Sequence, residues 1–270
     1  MNYSAALLCI AVSLTAAVGA SAQPSISDNR PLTIGAVAAV SPTVARFGRA
    51  EFTIDLQGTY SNAFDPEEID VTGVFTSPDG ALIALPAFYF QDYTRQTKDS
   101  SEGLSASGDA GWRLRFAPTQ TGRYKLTVTA RDKSGTKVAS EPITFECTAS
   151  ADPGFIRRSP DSARYFQFDS GKPYFPIGAN VCWGGSRATL DYDDWLPRLS
   201  DAGCDYFRVF LGPGWTTFGL ERTGEGFGLG KFDQEKAWRL DCVLDLARQR
   251  GLYVMLCAIR ATGPHYSREA

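Results

Sequence analysis

The sequence predicts two fold classes in tandem, an all-β immunoglobulin-like sandwich followed by a parallel α/β unit, and three observations carry that prediction. From residue 31 to 147 apolar and polar residues alternate with period two, as in half-buried antiparallel strands. Tight-turn sequences such as Ser77-Pro78-Asp79-Gly80 and Asp132-Lys133-Ser134-Gly135 punctuate that stretch. After Asp152-Pro153-Gly154 the pattern changes to strand, helix, strand, helix, strand, with a glycine at each helix end. A chain of 270 residues, 43% hydrophobic and 21% charged, has enough apolar material for such cores.

The elements follow in order. Residues 5–18 are an apolar run, and Ala20-Ser21-Ala22 before Gln23 fits the small-x-small rule for leader cleavage, so 1–22 reads as a secretory signal peptide. Its n-region, Met1 to Ser4, holds no Lys or Arg, which leaves the terminal amine as its positive charge. The run is too short for a bilayer span and no other stretch approaches one. A secreted or periplasmic chain with no membrane partner after signal removal is expected.

Residues 23–150 form the expected sandwich. Phe52/Ile54/Leu56, Trp112/Leu114/Phe116 and Tyr124/Leu126/Val128 each put apolar side chains on one face of a strand. About seven strands in about 115 residues suit an immunoglobulin-like sandwich. The polar stretch 96–110 predicts a long mobile loop. In residues 151–270, Tyr165 to Phe175 reads as a hairpin turning at Asp169-Ser170-Gly171. A short strand ends at Asn180, a helix capped by Asp191 follows, and Gly203 closes it. Tyr206 to Leu211 predicts a strand buried on both faces. A second helix starts at Asp233 with an apolar stripe of Ala237, Leu240, Leu244 and Ala247, and hands over at Gly251 to a third strand, 252–257.

Charge and composition exclude several functions. A net charge of −3 and no basic stripe argue against nucleic acid as a partner. The one histidine, His265, nearly removes His-rich metal sites and paired imidazole catalysis. Five cysteines remain past the leader, Cys147, Cys182, Cys204, Cys242 and Cys257, with no C-x-x-C pair. Buried free thiols are expected, with one bridge left open in an oxidising compartment. No metal and no cofactor is expected. The run from Gly224 to Gly230 lacks the G-K-[ST] of a phosphate loop and the strand-to-helix turn of a dinucleotide site.

A family resemblance enters with specific residues. Gly154-Phe155-Ile156-Arg157, Arg164-Tyr165-Phe166, Phe168-Asp169, the run Gly171 to Gly178, Asn180, Cys182-Trp183 and Phe207-Arg208 together resemble the opening of cellulase-like, family five-type (β/α)₈ glycoside hydrolases. Upstream, Gly111 to Pro118 and Thr121-Gly122-Arg123-Tyr124 resemble the immunoglobulin-like domain of unknown function that often precedes such barrels in secreted bacterial proteins. The resemblance implies a partial (β/α)₈ TIM-type barrel of about three βα units and a retaining glycosidase acting on polysaccharide or oligosaccharide O-glycosidic bonds. It also implies a pair of glutamates, after the fourth and seventh barrel strands, about 5–5.5 Å apart. Roughly 115 residues follow Gly154, against about 250 for a whole barrel. The expectation is therefore a C-terminally truncated chain without either glutamate and inactive as given. A carbohydrate-binding or adhesion module, with the sandwich as the functional part, is the alternative.

No catalytic residue is assigned, and four residues are candidates for substrate binding. Arg208 sits inside an apolar strand, where a guanidinium needs a carboxylate or a polar cavity; the resemblance implies that it once supported the nucleophile, and a structural ion pair is the other reading. Asn180 and Trp183 follow the first barrel strand, where an amide and a stacking indole suit a sugar, or where a cap and a core side chain would do as well. Trp215, with Phe218 and Phe227, lies in the long loop 212–232, which would form either a subsite platform or packing. Asp191, Asp193, Asp194, Glu221, Glu225, Asp233 and Glu235 read as residues of helix starts and loops.

Overall fold

The computed structural model describes residues 30–212, 218–221 and 226–257. The expected leader, Trp215, Glu225 and His265 lie outside the described residues. Ten strands come first: β1 (Thr33–Ala39), β2 (Thr43–Ala45), β3 (Ala50–Gln57), β4 (Ile69–Thr76), β5 (Leu82–Pro86), β6 (Phe88–Lys98), β7 (Ser101–Phe116), β8 (Gly122–Asp132), β9 (Lys137–Ala139) and β10 (Ile143–Thr148). They pair as two sheets, β1-β3-β7-β6 and β2-β10-β8-β4-β5, with β9 added to β8. All pairings are antiparallel except β2 with β10. The sequence predicts about seven strands because three-residue strands such as β2 and β9 are too short to show a period.

The alternation read from the sequence becomes one shared core. Phe52, Ile54, Trp112 and Leu114 from the first sheet meet Phe75, Tyr124, Leu126, Val128 and Phe145 from the second. Phe75 stacks on Phe116 with centroids 4.3 Å apart. Gly73 in β4 permits this approach, since a Cβ there would lie 2.1 Å from Leu114 Cδ2.

The stretch 96–110 is no loop. It forms the far half of the β6–β7 hairpin, which turns on Asp99 and Ser100 with φ of 48° and 64°. Two adjacent left-handed residues give the primed turn whose twist matches a hairpin. The Ser, Gly and Asp content that suggests a loop belongs to a two-stranded ribbon that leaves the β core.

The rest of the chain begins with a small antiparallel sheet, β11 (Ile156–Arg158), β12 (Phe166–Phe168) and β13 (Pro173–Tyr174). Then β14 (Gly178–Asn180), α1 (Leu190–Asp201), β15 (Tyr206–Phe210), α2 (Gln234–Gln249) and β16 (Tyr253–Cys257) follow, and β14, β15 and β16 make one parallel sheet in that order. Among the described residues these are the two helices, and neither is long and apolar enough to cross a membrane. Asp233 caps α2 by accepting from the N–H groups of Glu235 and Lys236 at 3.0 and 3.2 Å. Asp191 does not cap α1: it sits inside the first turn and accepts from Gly185 N at 2.6 Å, and Thr189 takes the cap position. On β15 only Phe207 and Val209 are buried, against Tyr192, Leu196, Val243 and Ala247, so the strand has one covered face rather than two.

The two parts meet through α2. Its apolar stripe toward the parallel sheet is Leu240, Val243 and Ala247 with Leu246 beside it; Ala237 and Leu244, expected in that stripe, face cavities shared with the β part. On the other side the outer face of the first β sheet carries charges matched by the helices. Arg115 bridges Glu51 and Asp241, each at 2.7 Å, Arg49 pairs with Asp245 at 2.8 Å, and Arg95 with Asp193 at 2.7 Å. Deepest lies Glu102, on the hairpin, with its side chain fully buried. One oxygen accepts from Arg239 Nε at 2.5 Å, and the other takes the Thr189 hydroxyl and its backbone N–H, the latter at 3.0 Å. One carboxylate thus ties the hairpin to the cap of α1 and to the second turn of α2.

Removing one member of a buried ion pair leaves the other charge unpaired, so Glu102→Ala is expected to lower stability by about 3 to 5 kcal/mol, measured as a urea midpoint shift at constant slope. Glu51 behaves differently. Burial acts to raise its pKa, but the bonds and charges of Arg115 and Arg113 prevail and hold it below the ordinary value of 4.5. A carboxyl depressed in the fold contributes stability that is present above its unfolded value and is lost as pH falls through its folded one. Melting temperature should therefore fall on acidification below the ordinary glutamate range, and Glu51→Gln should show a flatter acid limb.

Candidate functional site

Among the described residues, the helices cover one face of the parallel sheet and leave the other open. On the open face, strand register lines up Asn180 of β14, Arg208 of β15 and Met255 of β16. Gly178 makes the close β14–β15 approach feasible, because a Cβ there would fall 1.9 Å from the Tyr206 carbonyl oxygen. The end of β14 is held from both sides: Val181 N donates to Arg208 O at 3.0 Å, and the hydroxyl of the buried Tyr192 donates to Val181 O at 2.9 Å.

Arg208 is half-buried, and among the described residues no carboxylate pairs with it. Its Nε donates to Cys257 Sγ at 3.0 Å, and its guanidinium carbon sits 4.3 Å from the centre of the Phe210 ring. The hydrogen bond to Cys257 and the nearby thiols push its pKa further above the ordinary value, so it is a fixed cation. Phe210 in turn lies 6.4 Å from Trp183, whose ring is 52% exposed. Asn180 is exposed beside them. The structure brings Asn180, Trp183 and Arg208 to one end of the sheet, while the fourth candidate, Trp215, lies outside the described residues. A groove of about 560 Å³ opens between the end of β14 with the segment after it, Asn180, Cys182 and Trp183, and Trp195, Arg198 and Leu199 of α1.

Sequence reasoning missed Phe210 and Cys257 as the groups that hold Arg208. The i, i+2 spacing from Arg208 was a usable signal for Phe210 on a strand; Cys257 depends on the register of β16 and has no local signal. Phe218 is no platform: it is 1% exposed and packs 5.6 Å from Tyr192. The acidic residues are engaged structurally. Asp194 pairs with Arg187 at 2.7 Å, Glu221 accepts from Gly230 N at 2.7 Å, and Glu235 faces Arg239 at 3.7 Å. The five cysteines are free thiols, and burial pushes Cys147 and Cys242 above the ordinary value. Among the described residues no cluster of three or more His, Cys, Asp or Glu could hold a metal.

This end of the sheet therefore offers an exposed indole, an amide and a fixed cation, and among the described residues no carboxylate lines the adjacent groove. An apolar ring face and nearby hydrogen-bonding groups suit a neutral polyhydroxylated ring.

A family model described as "Domain of unknown function (DUF5060)" matches residues 43–131. A crystal structure of a candidate glycoside hydrolase from Bacteroides vulgatus aligns over 80% of this chain at 17% identity with a TM-score of 0.58. That agreement extends across both parts and shows a shared fold. The chain spans 41% of that protein's length. A β-glucuronidase of Parabacteroides merdae aligns at 13% identity over 77% of this chain and 21% of its own, with a TM-score of 0.25. A Bacteroides ovatus GH5 xyloglucanase in complex with a heptasaccharide aligns at 11% identity over 82% and 45%, with a TM-score of 0.24. Both scores are too low to show a common fold. No curated protein matches the chain.

Tyr192→Phe removes one buried hydrogen bond at the base of this site. It is expected to lower stability by about 1 kcal/mol and to speed deuterium exchange of the Val181 amide, read by mass spectrometry.

Proposed function

We propose that this chain is the β-sandwich and opening βα units of a secreted retaining glycoside hydrolase that acts on polysaccharide O-glycosidic bonds. In this reading residues 23–150 are an immunoglobulin-like domain, residues 151–270 contribute the first strands of a (β/α)₈ barrel, and residues 1–22 direct export. The observation that carries the reading is the gathering of Asn180, Arg208 and exposed Trp183 at one end of a parallel sheet. Asn180 ends β14 and Trp183 follows it, on the C-terminal side where barrel enzymes place their substrates, with Arg208 one strand over in register with Asn180. The fold shared with the Bacteroides vulgatus protein supports it.

Roles follow from the chemistry. Trp183 stacks on a sugar ring, Asn180 hydrogen-bonds a hydroxyl, and Arg208, held by Cys257 and Phe210, keeps a positive charge below the sugar. Retaining hydrolysis needs two carboxyls about 5–5.5 Å apart across the sugar C1. Glu221 and Glu235, the glutamates described in this part, are committed to the Gly230 N–H and to Arg239. The chain as given binds glycan through this face and does not cleave it.

Native gel electrophoresis through soluble β-glucan, mannan and xylan, combined with a reducing-sugar assay, tests both halves of the proposal. Retardation by at least one polymer is expected, reduced about fivefold or more in Trp183→Ala, which corresponds to about 1 kcal/mol of lost stacking. No sugar release is expected. Turnover that a single substitution abolishes would overturn the inactivity, and equal mobility in every gel would overturn the binding.

A further inference from the structure

At the seam between the β part and α2 lies a second cavity, of about 480 Å³, distant in the fold from the Asn180 row. Aromatic side chains from separate elements converge on it: Phe64, Tyr89, Phe90, Trp112, Phe232 and Trp238. Collapse of rings onto one another would normally close such a space, since exposed apolar surface is unfavourable by about 25 cal/mol per Å². Here the rings are held by partners elsewhere. Trp112 donates its indole N–H to Tyr60 at 3.0 Å, and Trp238 donates to Asp92 at 3.0 Å. The Phe90 ring lies 4.2 Å under the Arg113 guanidinium. Phe64 packs edge-on to Tyr89 and at 5.2 Å from Phe232. Gln234 closes one wall by accepting from Gln91 N at 3.0 Å. The walls are preformed, of a size and at a domain seam typical of small-molecule sites.

We propose that this cavity binds a small, uncharged molecule with one or two planar aromatic rings. The ring-lined walls favour flat apolar faces over a polyhydroxylated sugar, whose hydroxyls would lose water without finding partners. The charged residues on the lining are Asp70, Asp241 and Arg115, and Arg115 is already committed to Glu51 and Asp241. Asp70 faces Arg131 at 3.8 Å, so the described lining leaves no uncommitted cation to draw an anion.

The test uses the full chain and a neutral two-ring probe, N-phenyl-1-naphthylamine, followed by its fluorescence. Saturable one-to-one binding is expected, at least about fivefold tighter than that of the anionic analogue 8-anilinonaphthalene-1-sulfonate. Ala237 lines the cavity, so Ala237→Trp fills it and should weaken binding about tenfold or more. Phe232→Ala, which opens the cavity instead, should weaken it less. Met255→Ser, at an exposed apolar residue on the open sheet face, should leave it unchanged. The proposal fails if no saturable binding occurs, if Met255→Ser abolishes binding, or if cello-oligosaccharide displaces the probe competitively. It also fails if Ala237→Trp, with native circular dichroism, binds as wild type does, or if Phe232→Ala, likewise native, has undiminished affinity.

Discussion

The buried carboxylate of Glu102 is the point on which the arrangement of the two parts depends. It lies far out on the β6–β7 ribbon, yet it receives Arg239 from α2 and both the hydroxyl and the amide of Thr189 at the start of α1. A fully buried negative charge is tolerable only with such complete satisfaction. The geometry therefore has little slack: if the ribbon shifts, both helices lose a partner together. The outer rungs, Arg115 with Asp241, Arg49 with Asp245 and Arg95 with Asp193, are more exposed and set orientation rather than supply most of the energy.

This constraint explains the unusual composition of α2. A helix between two sheets would ordinarily be apolar all round. Here the side toward β15 and β16 carries Leu240, Val243 and Ala247, Asp241 and Asp245 share the opposite side toward the β sheet, and Arg239 reaches Glu102 on the ribbon. The β sheet it meets was already closed on its inner face by its own core, so its outer face could meet the helix through charge and aromatic side chains. The aromatic cavity lies in that seam, where the outer face of the sheet and α2 do not interdigitate fully.

Much of the fold was legible because its causes are local. Phe52/Ile54 and Leu126/Val128 alternate on the strands where they are found, and Asp233 and Gly251 delimit α2 by cap chemistry that operates within four residues. What was not legible depended on partners far away in sequence. The ribbon at 96–110 read as loop because Glu102 finds its partner 137 residues later. Asp191 was a reasonable cap until Thr189, two residues earlier, proved to be bound across the seam. At the candidate site, Arg208 stood out as a charge in an apolar strand, but its open-face position and its sulfur and ring partners follow from the placement of β16 and α2, which no single strand encodes.

The charge ladder on α2 also has a bearing on modularity. Tandem domains are commonly treated as beads that can be exchanged between proteins. In this chain the address of the first bead is written on the helices of the second: a transplanted β domain would need its own arginines and its ribbon glutamate to meet matching acids and an Arg239 equivalent. The two halves of the seam thus work only as a matched set, and a mismatched chimera would leave Asp241, Asp245 and Asp193 facing a surface without their arginines.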